Sequence, residues 1–176
     1  MMAKQLETER LLLEPLSLKQ LSSKYVGWLN DPEVNKYLET RGGYTIEKLR
    51  SFLEDQEKKG ILFWAIYKKQ DAKHIGNIKI DPIDESKNSG EYGILIGDKD
   101  EWGKGFAKEA SWAAINFCFD ELKLEQVTLG VVEDNEAAIE LYKKMGFEVT
   151  GKIEDKGFYN GKMCNSIRMV LKNGKQ

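Results

Sequence analysis

The stretch that decides the fold begins Glu91-Tyr92-Gly93-Ile94-Leu95-Ile96-Gly97 and continues through Asp98-Lys99-Asp100-Glu101 to Trp102-Gly103-Lys104-Gly105-Phe106-Ala107. An apolar strand gives way to a polar loop. A glycine-rich turn follows and opens directly into a helix. Ala107, Ala110, Ala114 and Phe117 recur at helical spacing, so that helix carries an apolar stripe fit to pack on a sheet. The first N–H groups of a helix have no partner within it and carry the positive end of its dipole. An anionic phosphate is held there without a dedicated cation. Gly103 and Gly105 let backbone approach closely and adopt dihedrals other residues avoid, and Lys104 adds a point charge. The segment reads as an anion site built from the amides of Gly103 to Ala107.

Three rival readings of the glycines compete. A Walker-type phosphate loop needs Ser or Thr after the lysine, and Gly105 follows Lys104. A dinucleotide fingerprint needs a small residue three places after the second glycine, where Lys108 stands. A bare strand-to-helix turn with no ligand stays open on these residues alone. Further on, Asn135-Glu136-Ala137-Ala138-Ile139-Glu140-Leu141-Tyr142-Lys143-Lys144-Met145-Gly146-Phe147 forms a second helix. Its Tyr142 shares a face with Ala138, Ile139 and Met145, at offsets of three and four. The spacing alone favours a core tyrosine.

Gly103-x-Gly105-x-Ala107 resembles the acyl-CoA pyrophosphate loop of the GNAT N-acetyltransferase superfamily. Asn135-x-x-Ala138-x-x-x-Tyr142-x-x-x-Gly146-Phe147 resembles its second signature. Thr8-Glu9-Arg10-Leu11-Leu12-Leu13 is similar to the first strand of the branch that acetylates ribosomal-protein N-termini, polyamines and amino sugars. Tyr159-Asn160-Gly161-Lys162 and Asn165-Ser166-Ile167-Arg168-Met169 resemble that branch's closing hairpin. The loop departs from the superfamily at Trp102, where Gln or Arg is usual. The resemblance implies acetyl-CoA as co-substrate, held by Ile94, Ile96, Trp102, Gly103, Lys104, Gly105, Phe106, Ala107, Asn135 and Ala138. In the family the Asn135 position holds the pantetheine arm and the Tyr142 position is the acid that protonates the leaving thiolate.

Composition is that of one enzyme domain. A chain of 176 residues buries a real core, and residues 1–176 are expected to form a single domain. A net charge of −2 supplies no basic footprint for nucleic acid. No apolar run reaches membrane-spanning length, and the start Met1-Met2-Ala3-Lys4-Gln5-Leu6 has no signal-peptide core. Cys118 and Cys164 provide neither a disulfide framework nor metal spacing, so two buried thiols and no metal are expected. A cytoplasmic setting is expected, with a homodimer left open.

The chain alternates strand and helix without repeats. Strands are expected over Arg10 to Pro15, Leu62 to Tyr67, His74 to Ile80, Tyr92 to Gly97, Val127 to Val132, Glu148 to Lys152 and Ser166 to Leu171. Helices are expected over Leu18 to Leu29, from Asp31 through Leu38, and from Thr45 to Lys59 with Gly60 as terminator. Asp81 to Gly90 reads as polar loop. The fold class is α/β: a single GNAT-like domain with a mixed central sheet and helices on both faces.

An amine attacking a thioester must lose a proton, and the departing thiolate must gain one. On the central strand Glu91, Gly93 and Leu95 share one face, and Tyr92, Ile94 and Ile96 the other. Glu91 is the best local base, with an exposed strand-edge charge the competing reading. His74, the single histidine, reads as a solvated hairpin residue. Trp28, Asn30, Asp31, Glu33 and Tyr37 cluster in the N-terminal region through which, the resemblance implies, acceptors enter, and would suit a cationic amine or amino sugar. The expected partner is a small-molecule amine, leaning to an amino sugar nucleotide or polyamine. A protein N-terminus is the alternative, and a non-catalytic CoA-binding module a third.

Overall fold

The computed structural model describes residues 2–39 and 41–174, so Met1, Thr40, Lys175 and Gln176 of the expected 1–176 domain lie outside the described residues. Elements follow in the order β1 (Leu6–Glu7), β2 (Leu11–Pro15), α1 (Ser23–Asn30), α2 (Ile46–Lys59), β3 (Leu62–Lys68), β4 (Lys73–Asp84), β5 (Ser89–Ile96), α3 (Phe106–Asp120), β6 (Gln126–Val132), α4 (Glu136–Lys144), β7 (Glu148–Tyr159) and β8 (Lys162–Lys172). The strands form one sheet in the order β1-β2-β3-β4-β5-β6-β8-β7. Among the described residues only β5 and β6 pair in parallel; every other pairing is antiparallel. The sheet is mixed, as expected.

Helices cover both faces. The larger core joins Leu11, Trp64, Ile78 and Tyr92 of the sheet to Ala110, Ala114 and Phe117 of α3 and to Tyr142 of α4. The smaller joins Ala65 to Trp28 and Leu29 of α1 and Leu49 and Leu53 of α2, with Leu95 packed against it. Tyr92 and Leu95 therefore point to opposite faces, as alternation along β5 requires. Val127, Leu129 and Val131 of β6 are likewise buried on one face. Cys118 and Cys164 are free and buried.

Several boundaries differ from expectation, each for a local reason. The helix expected over Leu18 to Leu29 is split. Ser17 and Gln20 form a capping box on a short 3-10 turn at Leu18–Gln20, Leu21 is extended, and Ser22 caps α1 afresh. The helix expected from Asp31 does not extend beyond turns. Asp31 Oδ1 accepts from Glu33 N at 2.9 Å, and the Asn35 side chain donates back to Leu29 O at 2.9 Å. Such side chain to backbone bonds compete with helix propagation. The polar loop expected over Asp81 to Gly90 is mostly strand, since β4 runs to Asp84 and β5 begins at Ser89. Pro82, which cannot donate to a ladder, sits in a register shift between Ile80 and Ile83. The closing hairpin is longer than expected, and Asn160 and Gly161 at its tip both have positive φ, as a tight primed turn needs. The helix from Thr45 is as read: Thr45 accepts from Lys48 N and Gly60 terminates it in the left-handed region.

Candidate active site

The one parallel pair is short. β5 and β6 are joined only at Ser89 with Gln126, Gly90 with Val127 and Glu91 with Thr128. Beyond that point β5 continues to Ile96 along β4, and β6 continues to Val132 along β8. The two strands therefore part in the middle of the sheet. Unpaired backbone groups in a sheet interior demand another partner. A ligand carrying amides can supply one by lying along the strand edge. Gly93, Ile94, Leu95 and Ile96 are only half-buried although their strand is central.

At the end of β5 stands the glycine turn. Gly103 and Gly105 both have positive φ, +73° and +82°. Gly105 is the N-cap of α3 and offers no side-chain bond; the first helical bond runs from Glu109 N to Gly105 O, 3.1 Å. The amides of Phe106, Ala107 and Lys108 are left as the unpaired donors of a helix start. The turn is braced from outside. Arg10 donates from Nη1 to Lys104 O at 3.0 Å, pairs with Glu109 at 2.7 Å, and lies over the Phe106 ring. Glu101, 4% exposed, accepts from Lys68 at 2.9 Å and from Lys104 at 3.1 Å. The Lys68 bond, with Lys104, outweighs burial and holds the Glu101 carboxyl below its usual range. Lys104 is thus engaged with Glu101, and Trp102 is half-exposed with its indole N–H bonded to Ile96 O at 2.8 Å.

On the α3 side of the gap lies Tyr142. It is buried, edge-on to Tyr92 with ring centroids 5.6 Å apart, and against Phe147. Burial pushes its phenol above the ordinary tyrosine value, with the Tyr92 hydroxyl pulling the other way, so it is protonated at neutral pH. Asn135 caps α4 by accepting from Ala138 N at 3.3 Å. Ile94 and Ile96 pack against the same core.

On the other side lies Glu91, last residue before the strands part. Arg168 of β8 grips it with two bonds, Nη1 to Oε1 at 2.6 Å and Nη2 to Oε2 at 2.7 Å, and Thr128 donates to Oε2 at 2.6 Å. Arg168 faces Gly130 of β6 in register, and a side chain at Gly130 would meet its Nη1 at 2.8 Å. The bare glycine is what lets the guanidinium cross β6 to reach β5. Burial alone would raise the Glu91 carboxyl, but the Arg168 and Thr128 bonds together bring it below the usual range. A carboxyl depressed on folding adds stability above its unfolded pKa and loses it as pH falls through the folded value. Arg168→Met leaves the burial and removes the partner, so the carboxyl rises and the sign reverses. The melting-temperature deficit of Arg168→Met is expected to be larger at pH 7 than at pH 4. Equal deficits at both pH values would show that the pair does not hold Glu91 anionic.

Other expected residues fall elsewhere. His74 is not a solvated hairpin residue. It is enclosed by Trp28, Tyr67 and Tyr25, at ring distances of 4.9, 5.1 and 5.8 Å. Its Nε2 lies 3.0 Å from Gly76 O and 2.9 Å from Asn77 Oδ1, and burial lowers its pKa. Trp28 is buried and packs on Gly97 instead of lining a cleft, since any Cβ there would strike its ring. Asp31 and Glu33 pair with Lys99, at 2.7 and 3.4 Å. Asn30 anchors Tyr44 through both its amide groups, and the Tyr37 hydroxyl donates to Asp134 O at 3.1 Å. Trp64, whose face the sequence leaves open, is fully buried on the α3 side. Among the described residues no cluster of His, Cys, Asp and Glu could hold a metal, and no helix is long and apolar enough to cross a membrane.

Arg10, Glu101 and Ser111 carry no local signal that places them at this site, and Arg168 is marked only as part of a hairpin. Arg10 with Glu109, Glu101 with Lys68, Ser111 with Tyr92 and Arg168 with Glu91 each join residues distant in sequence, so only the tertiary structure reveals those contacts.

Known proteins resemble this chain in sequence and fold. Residues 10–148 match the family model for the acetyltransferase (GNAT) domain. An uncharacterized N-acetyltransferase of Bacillus subtilis, YoaA, is 30% identical over 161 residues, 89% of this chain and 89% of that protein. The spermidine N(1)-acetyltransferase of Escherichia coli is 34% identical over 101 residues, 57% of this chain and 54% of that protein. A crystal structure of spermidine N-acetyltransferase from Vibrio cholerae, in complex with CoA and spermine, superposes with a TM-score of 0.85 at 23% identity, covering 96% of this chain and 98% of that one. The gap between β5 and β6, the glycine turn at its end and this family match agree: the chain belongs to the GNAT acetyltransferase family.

Proposed function

We propose that the protein transfers the acetyl group of acetyl-CoA to a primary amine of a small molecule by direct attack on the thioester. The observation that carries this reading is the parted β5–β6 pair, with an uncapped helix start at one end and Tyr142 at its side. The pyrophosphate would take the amides from Gly103 to Ala107. The pantetheine arm, whose two amides can pair with strand edges, would lie in the gap beside Ile94 and Ile96, near Asn135 and Ala138.

Tyr142 and Glu91 lie on opposite faces of the sheet, beside the gap. Tyr142 protonates the departing sulfur. Glu91, kept anionic by Arg168, is a weak base; an anion there stabilises positive charge developing on the attacking nitrogen, and the nitrogen's proton passes to water. An intact Tyr142 supports an enzyme over a non-catalytic CoA-binding module.

The acceptor is read as an amino sugar nucleotide or a polyamine. A spermidine acetyltransferase among the relatives supports the polyamine. The Glu91–Arg168 pair favours the sugar nucleotide: taken together the pair carries no net charge to attract a polycation, while three N–H groups of Arg168 remain for an anionic group. A thiol-release screen with acetyl-CoA against nucleotide-linked amino sugars, polyamines and N-terminal peptides tests the reading. Turnover with a small amine is expected. Turnover with peptides alone would transfer the protein to the N-terminal acetyltransferases, and no acceptor-dependent release at all would leave only CoA binding.

Asn135→Ser keeps a good capping oxygen at the start of α4, so its melting temperature should stay near that of the parent. If the amide also holds the pantetheine arm, the KM for acetyl-CoA rises several-fold. An unchanged KM would confine Asn135 to the cap.

A further inference from the structure

Two glycines flank the parted strands on the face away from α3. Glu91, Gly93 and Leu95 of β5 share that face. Thr128 and Gly130 of β6 share it too, since they alternate with the buried Val127, Leu129 and Val131. A long cationic side chain from the next strand out lies over each glycine. Lys79 of β4, between the fully buried Ile78 and Ile80, is in register with Gly93, where a Cβ would stand 3.6 Å from Lys79 Cε. Arg168 crosses Gly130 in the same way from β8. Glu91 stands between them where the strands part, bound to Arg168.

The two cations still have bonds to give. Arg168 spends only two of its five N–H groups on Glu91. Lys68, Lys73, Lys99 and Lys104 each have a carboxylate partner, whereas among the described residues Lys79 has none. Lys79 is exposed and Gly93 half-buried, so a ligand can reach this part of the face. A third donor lies on the same face. His74 Nε2 is 3.0 Å from Gly76 O, which can only accept, so that nitrogen carries a hydrogen. Asn77 Oδ1 accepts from it at 2.9 Å, and the buried Asn77 Nδ2 is left without a partner among the described residues. Asn77 is in register with Leu95, two residues before Lys79.

We infer that Lys79 and Arg168 clamp an anionic group of the acceptor from the two sides of the gap, and that the acceptor is an amine carrying phosphate. The inference rests on the reading of the protein as an acetyltransferase of small amines, and it chooses between the two acceptor classes of that reading. Lys79, Arg168 and Asn77 offer only donors. Phosphate oxygens point several ways and accept from both sides at once. A protonated polyamine brings only further donors, and it meets Lys79 as a like charge.

The test uses the full chain saturated with CoA, so that the glycine turn at α3 is filled and cannot take up the probe. Calorimetric titration with uridine diphosphate is expected to show binding that weakens as salt rises. Lys79→Met keeps the stem over Gly93 and removes the charge, and should weaken this binding about 10-fold; Lys79→Arg should restore it. In the acceptor screen the parent should show a higher kcat/KM for a nucleotide-linked amino sugar than for a polyamine, and Lys79→Glu should invert that order. Lys79 is exposed, so these variants should melt with the parent. No binding of the diphosphate to the CoA-loaded parent, parental affinity in Lys79→Met, or a parent that prefers polyamines would overturn the clamp and leave acetyl transfer standing. Absence of turnover with every small amine would instead remove the acetyltransferase reading and the acceptor with it, while the titration still reports on the anion site.

Discussion

Tyr142→Phe is expected to lower kcat by roughly 10²- to 10⁴-fold, the usual cost of removing a positioned acid. The substitution keeps the ring, and with it the contacts to Tyr92 and Phe147. Only a hydroxyl is lost, and a single neutral hydroxyl contributes at most about 1 kcal/mol to folding. CoA affinity and melting temperature should therefore stay close to the parent's. The phenol is held above its ordinary pKa by burial, so it is protonated across the neutral range. A rate that needs the protonated form falls as pH rises through that pKa. Tyr142→Phe should lose this basic limb altogether, leaving a slow rate that no longer declines at high pH. Full activity at saturating substrate, with a productive acceptor, would exclude Tyr142 as the acid.

Glu91 shows where sequence reading stops. Alternation along β5 places it correctly on the face opposite Tyr92, because side chains in a strand alternate whatever their neighbours do. Its electrostatic character does not follow from alternation. Arg168, 77 positions later, reaches it across Gly130 of an intervening strand. The choice between a strand-edge charge and a base thus turns on a partner that only the β6–β8 register reveals. An anion held below its usual range serves nitrogen better as a counter-charge than as a strong base.

The same contrast runs through the fold. α2 is legible because its ends are chemical: Thr45 supplies a cap oxygen and Gly60 the left-handed stop. The Val127, Leu129 and Val131 pattern is legible because one face of β6 is buried. His74 is misread because its surroundings come from Trp28 and Tyr25 of α1 and from Tyr67 of β3, none of them near it in sequence. Residues 81–90 read as loop because their composition is polar, yet 81–84 and 89–90 extend the two strands as a ladder with Pro82 in the bulge. Tertiary pairing overrides local composition there.

Gly105→Val is expected to weaken CoA binding about 10- to 100-fold. Gly105 sits at φ +82°, where a β-branched residue is strained by roughly 1–3 kcal/mol. A Cβ there would also stand 3.4 Å from Arg10 Nη2, in van der Waals contact, so the further methyls of valine crowd that guanidinium. The strained chain has two ways to relax, and both damage the anion site. Rotating Gly105 out of the left-handed region re-aims the amides of Phe106 and Ala107, which carry the helix-start field. Pushing Arg10 away releases its bond to Lys104 O, which braces the turn from outside. Gly103 supplies the control: its φ is +73°, but a Cβ there meets nothing within 4 Å. Gly103→Ala should therefore show only backbone strain, and Gly105→Ala more than that. Calorimetric titration with CoA measures the series, and thermal melts report whether each variant is folded. Should Gly105→Val fail to fold, the two alanine variants still rank the positions. Unchanged CoA affinity in a folded Gly105→Val, or a greater loss at Gly103 than at Gly105, would show that the pyrophosphate does not rest on this turn.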